Sequence, residues 1–121
     1  GKAGEAERVA IAGDEVAISG DAVTSLALVA HELATNAAKY GAFSTRRGRV
    51  HISWTVRKGA LALIWEERGG PPVERAPERE GFGSLLARRS VQGQLDGKLA
   101  FDWTAKGLIV RLSAPMERLT S

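Results

Sequence analysis

Cysteine is absent from the 121 residues, which removes a disulfide framework and any thiolate metal site and permits an intracellular setting. No apolar run approaches the roughly 20 residues that cross a bilayer as a helix. The start Gly1-Lys2-Ala3-Gly4 is not followed by the apolar stretch of a signal peptide. A soluble, cytoplasmic chain without membrane contact is expected. Charge of one sign is not concentrated either: 17 Lys and Arg against 14 Asp and Glu give +3, an attraction to anions that names none of them. The basic residues come in scattered pairs, Arg46-Arg47, Arg57-Lys58 and Arg88-Arg89, with no run of five and no aromatic ladder between them. Solvated surface charge is therefore preferred to a nucleic-acid stripe, for which Trp54 and Trp103 would be the only aromatic material. Internal repeats and a second-domain linker are also lacking. With 44% hydrophobic residues, residues 1–121 suffice for one core and are expected to form a single domain.

The most informative segment that is present runs from Val29 to Gly41, where Glu32, Asn36, Lys39 and Tyr40 stand on an otherwise apolar helical pattern. Val23, Leu26, Ala27, Ala30, Leu33, Ala34 and Ala37 recur at three- and four-residue intervals and predict the buried stripe. On that stripe Glu32 and Asn36, one turn apart, border the core, and Lys39 and Tyr40 follow on the next turn. A carboxylate, a carboxamide, an ammonium and a phenol on overlapping sectors suit a triphosphate and its metal. Asp21 is the expected N-cap, and Gly41 the expected left-handed residue that closes the helix.

Around this helix the pattern reads strand, helix, strands, loop, helix, strands. Arg8 to Ala12 and Glu15 to Ser19 flank Gly13-Asp14 and resemble a short hairpin. Arg49 to Arg57 alternates Val50, Ile52, Trp54 and Val56 with polar neighbours, Lys58-Gly59 turns the chain, and Leu61, Leu63 and Trp65 continue the alternation. From Gly69 to Glu80 three prolines and alternating charge exclude a sheet interior and predict a surface loop. After Gly81-Phe82-Gly83-Ser84 a short helix carries Leu85, Leu86, Arg88, Arg89 and Val91, its amide-rich start open to an anion. Lys98 to Trp103 and Leu108 to Leu112, around Ala105-Lys106-Gly107, form the last expected hairpin.

Three ordered segments now carry a resemblance: His31-Glu32-Leu33-Ala34-Thr35-Asn36-Ala37-Ala38-Lys39-Tyr40-Gly41-Ala42, then Trp65-Glu66-Glu67-Arg68-Gly69-Gly70-Pro71, then Gly81-Phe82-Gly83-Ser84. Together they resemble the ATP-binding catalytic domain of a bacterial sensor histidine kinase of the GHKL ATPase superfamily. More narrowly they resemble its HWE subfamily, marked by a His in the first motif and Trp-x-Glu in the second. Order and spacing over most of the chain give the match its weight, since each motif alone is weak.

The resemblance implies roles. Asn36 would be the protein ligand of Mg²⁺, a hard cation that keeps most of its waters and bridges phosphates. Glu32 would be the catalytic base or orient the attacking group. Lys39 would face phosphate and Tyr40 the base or ribose. Glu67 falls where the superfamily usually has an Asp that accepts from the adenine amino group, with Gly69 and Gly70 letting the base approach the backbone. Gly81, Phe82 and Gly83 match the second glycine-rich motif, whose amides reach the phosphates. Residues 69–81 resemble a short ATP lid, from which Arg75 and Arg79 would reach phosphate or remain solvated. Trp65 would wall the pocket or fill core, with core preferred and no ligand contact assigned. His31 stands between a structural hydrogen bond and tuning of Glu32.

A histidine kinase also needs a phosphoacceptor His on a helical dimerisation segment. The chain has only His31, inside the first motif, and His51, inside a predicted strand. The segment is therefore expected upstream, outside this chain, in a parent protein that also meets a response regulator. The expected activity is transfer of the γ-phosphoryl of ATP to that His, without autophosphorylation by the isolated domain. The alternatives are a nucleotide-blind docking domain of a phosphotransfer protein and a GHKL serine kinase that binds a sigma factor or its antagonist. The implied fold class is α/β, a two-layer sandwich of the Bergerat type with a mixed sheet and helices on one face.

Overall fold

The computed structural model describes residues 8–73 and 81–120. Strand β1 (Val9–Gly13) leads to helix α1 (Gly20–Lys39) and a 3₁₀ turn at Ala42–Ser44. Strands β2 (Arg49–Arg57) and β3 (Ala60–Arg68) follow, then α2 (Phe82–Leu95), β4 (Lys98–Thr104), β5 (Gly107–Pro115) and the one-turn α3 (Met116–Thr120). The sheet order is β1-β2-β3-β5-β4. β1 runs parallel to β2 and every other pairing is antiparallel, so the sheet is mixed.

Alternation decides which face is covered. Val50, Leu61, Trp65, Leu99, Val110 and Leu112 point inward and are buried with Leu33 and Ala37 of α1 and Ala87, Val91 and Leu95 of α2. Their strand neighbours His51, Thr55, Ala62, Arg111 and Ala100 are exposed. Both long helices therefore lie on one face, in two layers. The β2–β3 hairpin forms because Lys58 and Gly59 both adopt positive φ, which matches a two-residue turn to the twist of the strands. Arg57 pairs with Ala60 and the register continues to Arg49 opposite Arg68.

Four local expectations are corrected. Glu15 to Ser19 is not a strand. β1 instead pairs in parallel with β2, Val9 beside Val50 and Gly13 beside Trp54, with α1 as the crossover that a parallel pair requires. Gly13 has no room for a Cβ against the Trp54 ring, and that indole donates to the Asp14 carbonyl at 2.7 Å. Such contacts end the strand by packing rather than by a hairpin. The N-cap of α1 is Ser19, whose Oγ accepts from the Ala22 amide at 3.4 Å, while Asp21 sits in the first turn and faces the positive helix end. The helix closes on Tyr40, and Gly41 has φ −119°, so no left-handed residue is used.

The fourth correction matters most for the site. The residues of α1 that are buried are Ala22, Ser25, Val29, Leu33 and Ala37, whereas Val23, Ala27, Ala30 and Ala34 face solvent. At 3.6 residues per turn this rotates the buried stripe by roughly 80° from the expected one. The rotation brings Glu32 and Asn36, both half-buried, onto the flank of the stripe that faces α2. Ser25 is buried there because its hydroxyl meets that of Ser90 at 3.2 Å, a polar pair satisfied within the helix interface.

Arg8 holds the segment after α1 against the sheet edge. Its guanidinium donates to the carbonyls of Thr45 at 2.6 Å, Ala42 at 3.2 Å and Gly48 at 3.2 Å, and it lies over the Phe43 ring at 5.4 Å. Charge-assisted bonds to three carbonyls are stronger than neutral ones. Arg8→Ala is expected to lower the free energy of unfolding by about 1–3 kcal/mol, measured by urea denaturation with an unchanged slope.

Candidate active site

Residues one turn apart on a helix lie side by side, and α1 uses this to join an amide to a carboxylate. Asn36 Nδ2 donates to Glu32 Oε1 at 3.1 Å and also lies 3.3 Å from Ser84 Oγ. Ser84 in turn donates to Glu32 Oε1 at 3.3 Å. With its NH₂ committed to the carboxylate and the hydroxyl, Asn36 directs its carbonyl oxygen the other way. α2 approaches α1 closely here, since a Cβ on Gly83 would collide with the Glu32 carboxylate. The glycine of the third motif is therefore required by Glu32.

Glu67 forms the second pole. The strand turns its two adjacent carboxylates to opposite faces: Glu66 points outward and pairs with Arg68, while Glu67 points inward and is only 3% exposed. A carboxylate so buried must be hydrogen-bonded. Oε1 accepts from the Ala42 backbone amide at 3.0 Å, and Oε2 accepts from the indole N–H of Trp65 at 2.9 Å. Gly41 has no side chain because Glu67 Oε1 occupies that space. Gly69 adopts φ +78° and receives the Thr45 hydroxyl on its carbonyl at 2.7 Å, which ties the start of the loop to the segment after α1.

Between the poles lies a cleft of about 510 Å³. Of the residues expected at the site, Glu32, Asn36, Tyr40, Glu67, Gly70 and Gly81 line it. Lys39 is exposed at the end of α1, and Phe82 is 76% exposed. Neither contributes to the lining, and Gly69 and Gly83 shape it only from behind. The centre of the expected lid, with Arg75 and Arg79, lies outside the described residues. His31 is on the exposed side of α1. Sequence reasoning missed Ser84 as a partner of both Glu32 and Asn36, and missed the far wall, where Phe101 and Trp103 stack at 6.5 Å and border the cleft with Arg88 of α2. Trp103 is thus pocket wall rather than part of an aromatic nucleic-acid face.

No cluster of three or more His, Asp or Glu side chains suited to a metal occurs among the described residues. One carboxamide oxygen next to one carboxylate is too small a set for an all-protein cage. It fits a cation that draws its remaining ligands from water and substrate. Among the described residues no helix is long and apolar enough to cross a membrane.

The α/β sandwich with one helix-covered face is shared with solved histidine kinase catalytic domains. The catalytic domain of the histidine kinase ThkA superposes with a TM-score of 0.66 over 94% of this chain and 84% of its own, at 16% identity. The histidine kinase domain of a blue-light-activated histidine kinase from Erythrobacter litoralis gives 0.74 over 92% of this chain and 55% of its own, at 28% identity. In sequence the chain is 40% identical over 115 residues to blue-light-activated histidine kinase 1 of Erythrobacter litoralis. It is 42% identical over 113 residues to a blue-light-activated histidine kinase of Brucella anthropi. These alignments cover 93% and 90% of this chain but 32% and 23% of the two relatives, so the chain spans a third of their length or less. No protein-family model matches it. Over about nine-tenths of its length the chain is similar in sequence to histidine kinases, and it shares the fold of their catalytic domains.

Gly83→Ala is expected to leave the unfolding free energy within about 1 kcal/mol, because alanine favours the helix and only a side-chain end must move. The Glu32 carboxylate is displaced, which a shift of the Asn36 side-chain amide resonances in NMR would register.

Proposed function

We propose that this domain binds ATP with Mg²⁺ and transfers the γ-phosphoryl group to a histidine on a dimerisation segment of its parent protein, in the manner of an HWE-type sensor histidine kinase. The observation that carries this reading is the convergence of Glu32, Asn36 and Glu67 on one cleft, each held by hydrogen bonds that leave acceptor capacity facing it. The identity to named histidine kinases over nine-tenths of the chain supports the same assignment.

Asn36 would hold Mg²⁺ through its carbonyl oxygen, which the bonds of its amide to Glu32 and Ser84 turn toward the cleft. The ion, when bound, neutralises phosphate charge and bridges its oxygens. Glu32 is placed one turn away to orient the attacking histidine or take its proton. α2 begins at Gly81 without a side-chain cap, so its first amides are open to phosphate. Arg88 on the same helix adds positive charge to the lining, and Lys39 offers a second cation from the rim. Glu67 accepts the exocyclic amine of adenine while Tyr40 and Trp103 supply ring surface. Gly70 and Gly81 line the cleft, where the missing side chains leave backbone open to the nucleotide.

His31 and His51 are not the acceptor in this reading, since one lies on α1 beside the catalytic Glu and the other on the outer sheet face. The acceptor segment and a response regulator are the partners of the parent protein. A solved complex of ThkA with the response regulator protein TrrA is consistent with that role. Dependence on ATP agrees with a cytoplasmic location.

Calorimetric titration of the domain with a non-hydrolysable ATP analogue, with and without Mg²⁺ and against GTP, tests the reading. Adenine-selective, Mg²⁺-enhanced binding is expected, and its absence at millimolar nucleotide would favour a docking domain. In Asn36→Ala the Mg²⁺-dependent affinity should fall about tenfold or more, a loss of about 1.4 kcal/mol or more, with the thermal midpoint nearly unchanged. Glu32→Gln in the full-length kinase should retain nucleotide and lose about 10²–10⁴ in the rate of autophosphorylation, followed with radiolabelled ATP.

A further inference from the structure

Trp65 and Glu67 stand two residues apart on β3 and therefore on the same, inward face. They are 5% and 3% exposed. A buried indole N–H needs an acceptor, and a buried carboxylate needs donors on both oxygens. Each meets the other's requirement at 2.9 Å. The second donor to the carboxylate comes from a different element, the Ala42 amide that follows α1, at 3.0 Å. Two donors of fixed position, one on each oxygen, define the plane of the carboxylate.

Trp65 itself does not line the cleft, whereas Glu67 does. Its ring is fixed in the core between cross-strand neighbours Ile52 and Val110, so the indole N–H is a rigid reference point. The carboxylate is a flexible group on a two-carbon stem, and without that bond it keeps only the Ala42 contact and can turn about it. Each oxygen accepts one bond from the protein and retains a lone pair. Where those lone pairs point is set by Trp65.

We infer that Trp65 is a positioning residue for purine selectivity: by fixing the Glu67 carboxylate, it aims an acceptor at the exocyclic amine of adenine and against the oxo group of guanine. This rests on the reading that Glu67 meets the adenine amine. It also gives the Trp-x-Glu spacing a reason, because alternation places the donor beside the longer acid. An Asp at position 67, shorter by one methylene, would not reach both donors from the same backbone.

The test compares an ATP analogue with purine riboside triphosphate, which lacks the exocyclic amine, in wild-type protein and in Trp65→Phe, which keeps a ring and loses the N–H. The wild type should prefer the amine-bearing nucleotide about tenfold or more, as a hydrogen bond to a charged group allows. Trp65→Phe should compress that preference about threefold or more while binding purine riboside triphosphate within about twofold of wild type. An unchanged ratio in a folded Trp65→Phe protein would reduce Trp65 to core packing. Loss of both nucleotides in proportion would do the same. If the wild type shows no preference between the two nucleotides, the adenine reading of Glu67 fails and this inference with it. Should Trp65→Phe not fold, the wild-type indole N–H resonance of Trp65 decides. It is expected to shift when the ATP analogue binds and to respond much less to purine riboside triphosphate, and equal responses would overturn the assignment.

Discussion

A single buried carboxylate organises one end of the cleft in this domain. Glu67 takes hydrogen bonds from Trp65 and from Ala42, so one side chain of β3 joins the sheet to the segment that leaves α1. Burying an ionised group is costly unless its lone pairs are met, and here the protein supplies two donors while the cleft remains open to a third. That requirement explains the small residues around it. Gly41 cannot carry a Cβ because the carboxylate is there, and a Cβ on Gly70 would lie 3.0 Å from the backbone of Gly41 and Ala42. The run of glycine and alanine beside Glu67 is the shape a buried acid imposes on the chain that surrounds it.

The same logic governs the opposite pole. Glu32 and Asn36 pair along α1 and are presented toward α2 rather than toward water, and glycine at 83 leaves the Glu32 carboxylate its place between the helices. Ser84 closes the triangle with bonds of 3.3 Å to both. The two motifs are far apart in sequence, yet each supplies what the other needs: α1 brings acid and amide, and α2 brings a hydroxyl and the absence of a side chain.

How much of this was legible in the sequence depended on whether the determinant was local. The β2–β3 hairpin was legible because strict alternation and Lys58-Gly59 both lie within the segment. The partner of β1 was not, because a parallel pairing across a 20-residue helix leaves no local mark, and Gly13-Asp14 imitates a turn. The orientation of α1 was misjudged because alanine is nearly silent about which way it faces. Six alanines occur in α1, and three of those assigned to the buried stripe proved exposed. Serine at position 25 concealed a buried site, since only its meeting with Ser90 makes it acceptable in the interior. Motif residues Glu32, Asn36 and Glu67 were legible as chemistry, whereas the Ala42 amide that holds Glu67 was not, because backbone donors have no residue signature. Phe101 and Trp103 read only as part of the last hairpin, because alternation cannot distinguish a core face from a pocket wall.

The backbone of Ala42 links the Glu67 end of the cleft to the sheet edge. Its N–H is spent on Glu67 Oε1, and its C=O accepts from Arg8 at the start of β1. The residue itself is 1% exposed, so neither group can turn to water for a substitute partner. A displacement of the β1 edge that broke the Arg8 bonds would free the segment between α1 and β2, whose Gly48 and Thr45 carbonyls accept from the same guanidinium. The carboxylate would then lose one of its two fixed donors. The edge strand therefore has a mechanical connection to the Glu67 end of the cleft through two side chains and the backbone of one residue, and the short parallel β1 serves as the anchor of that connection as well as the border of the sheet.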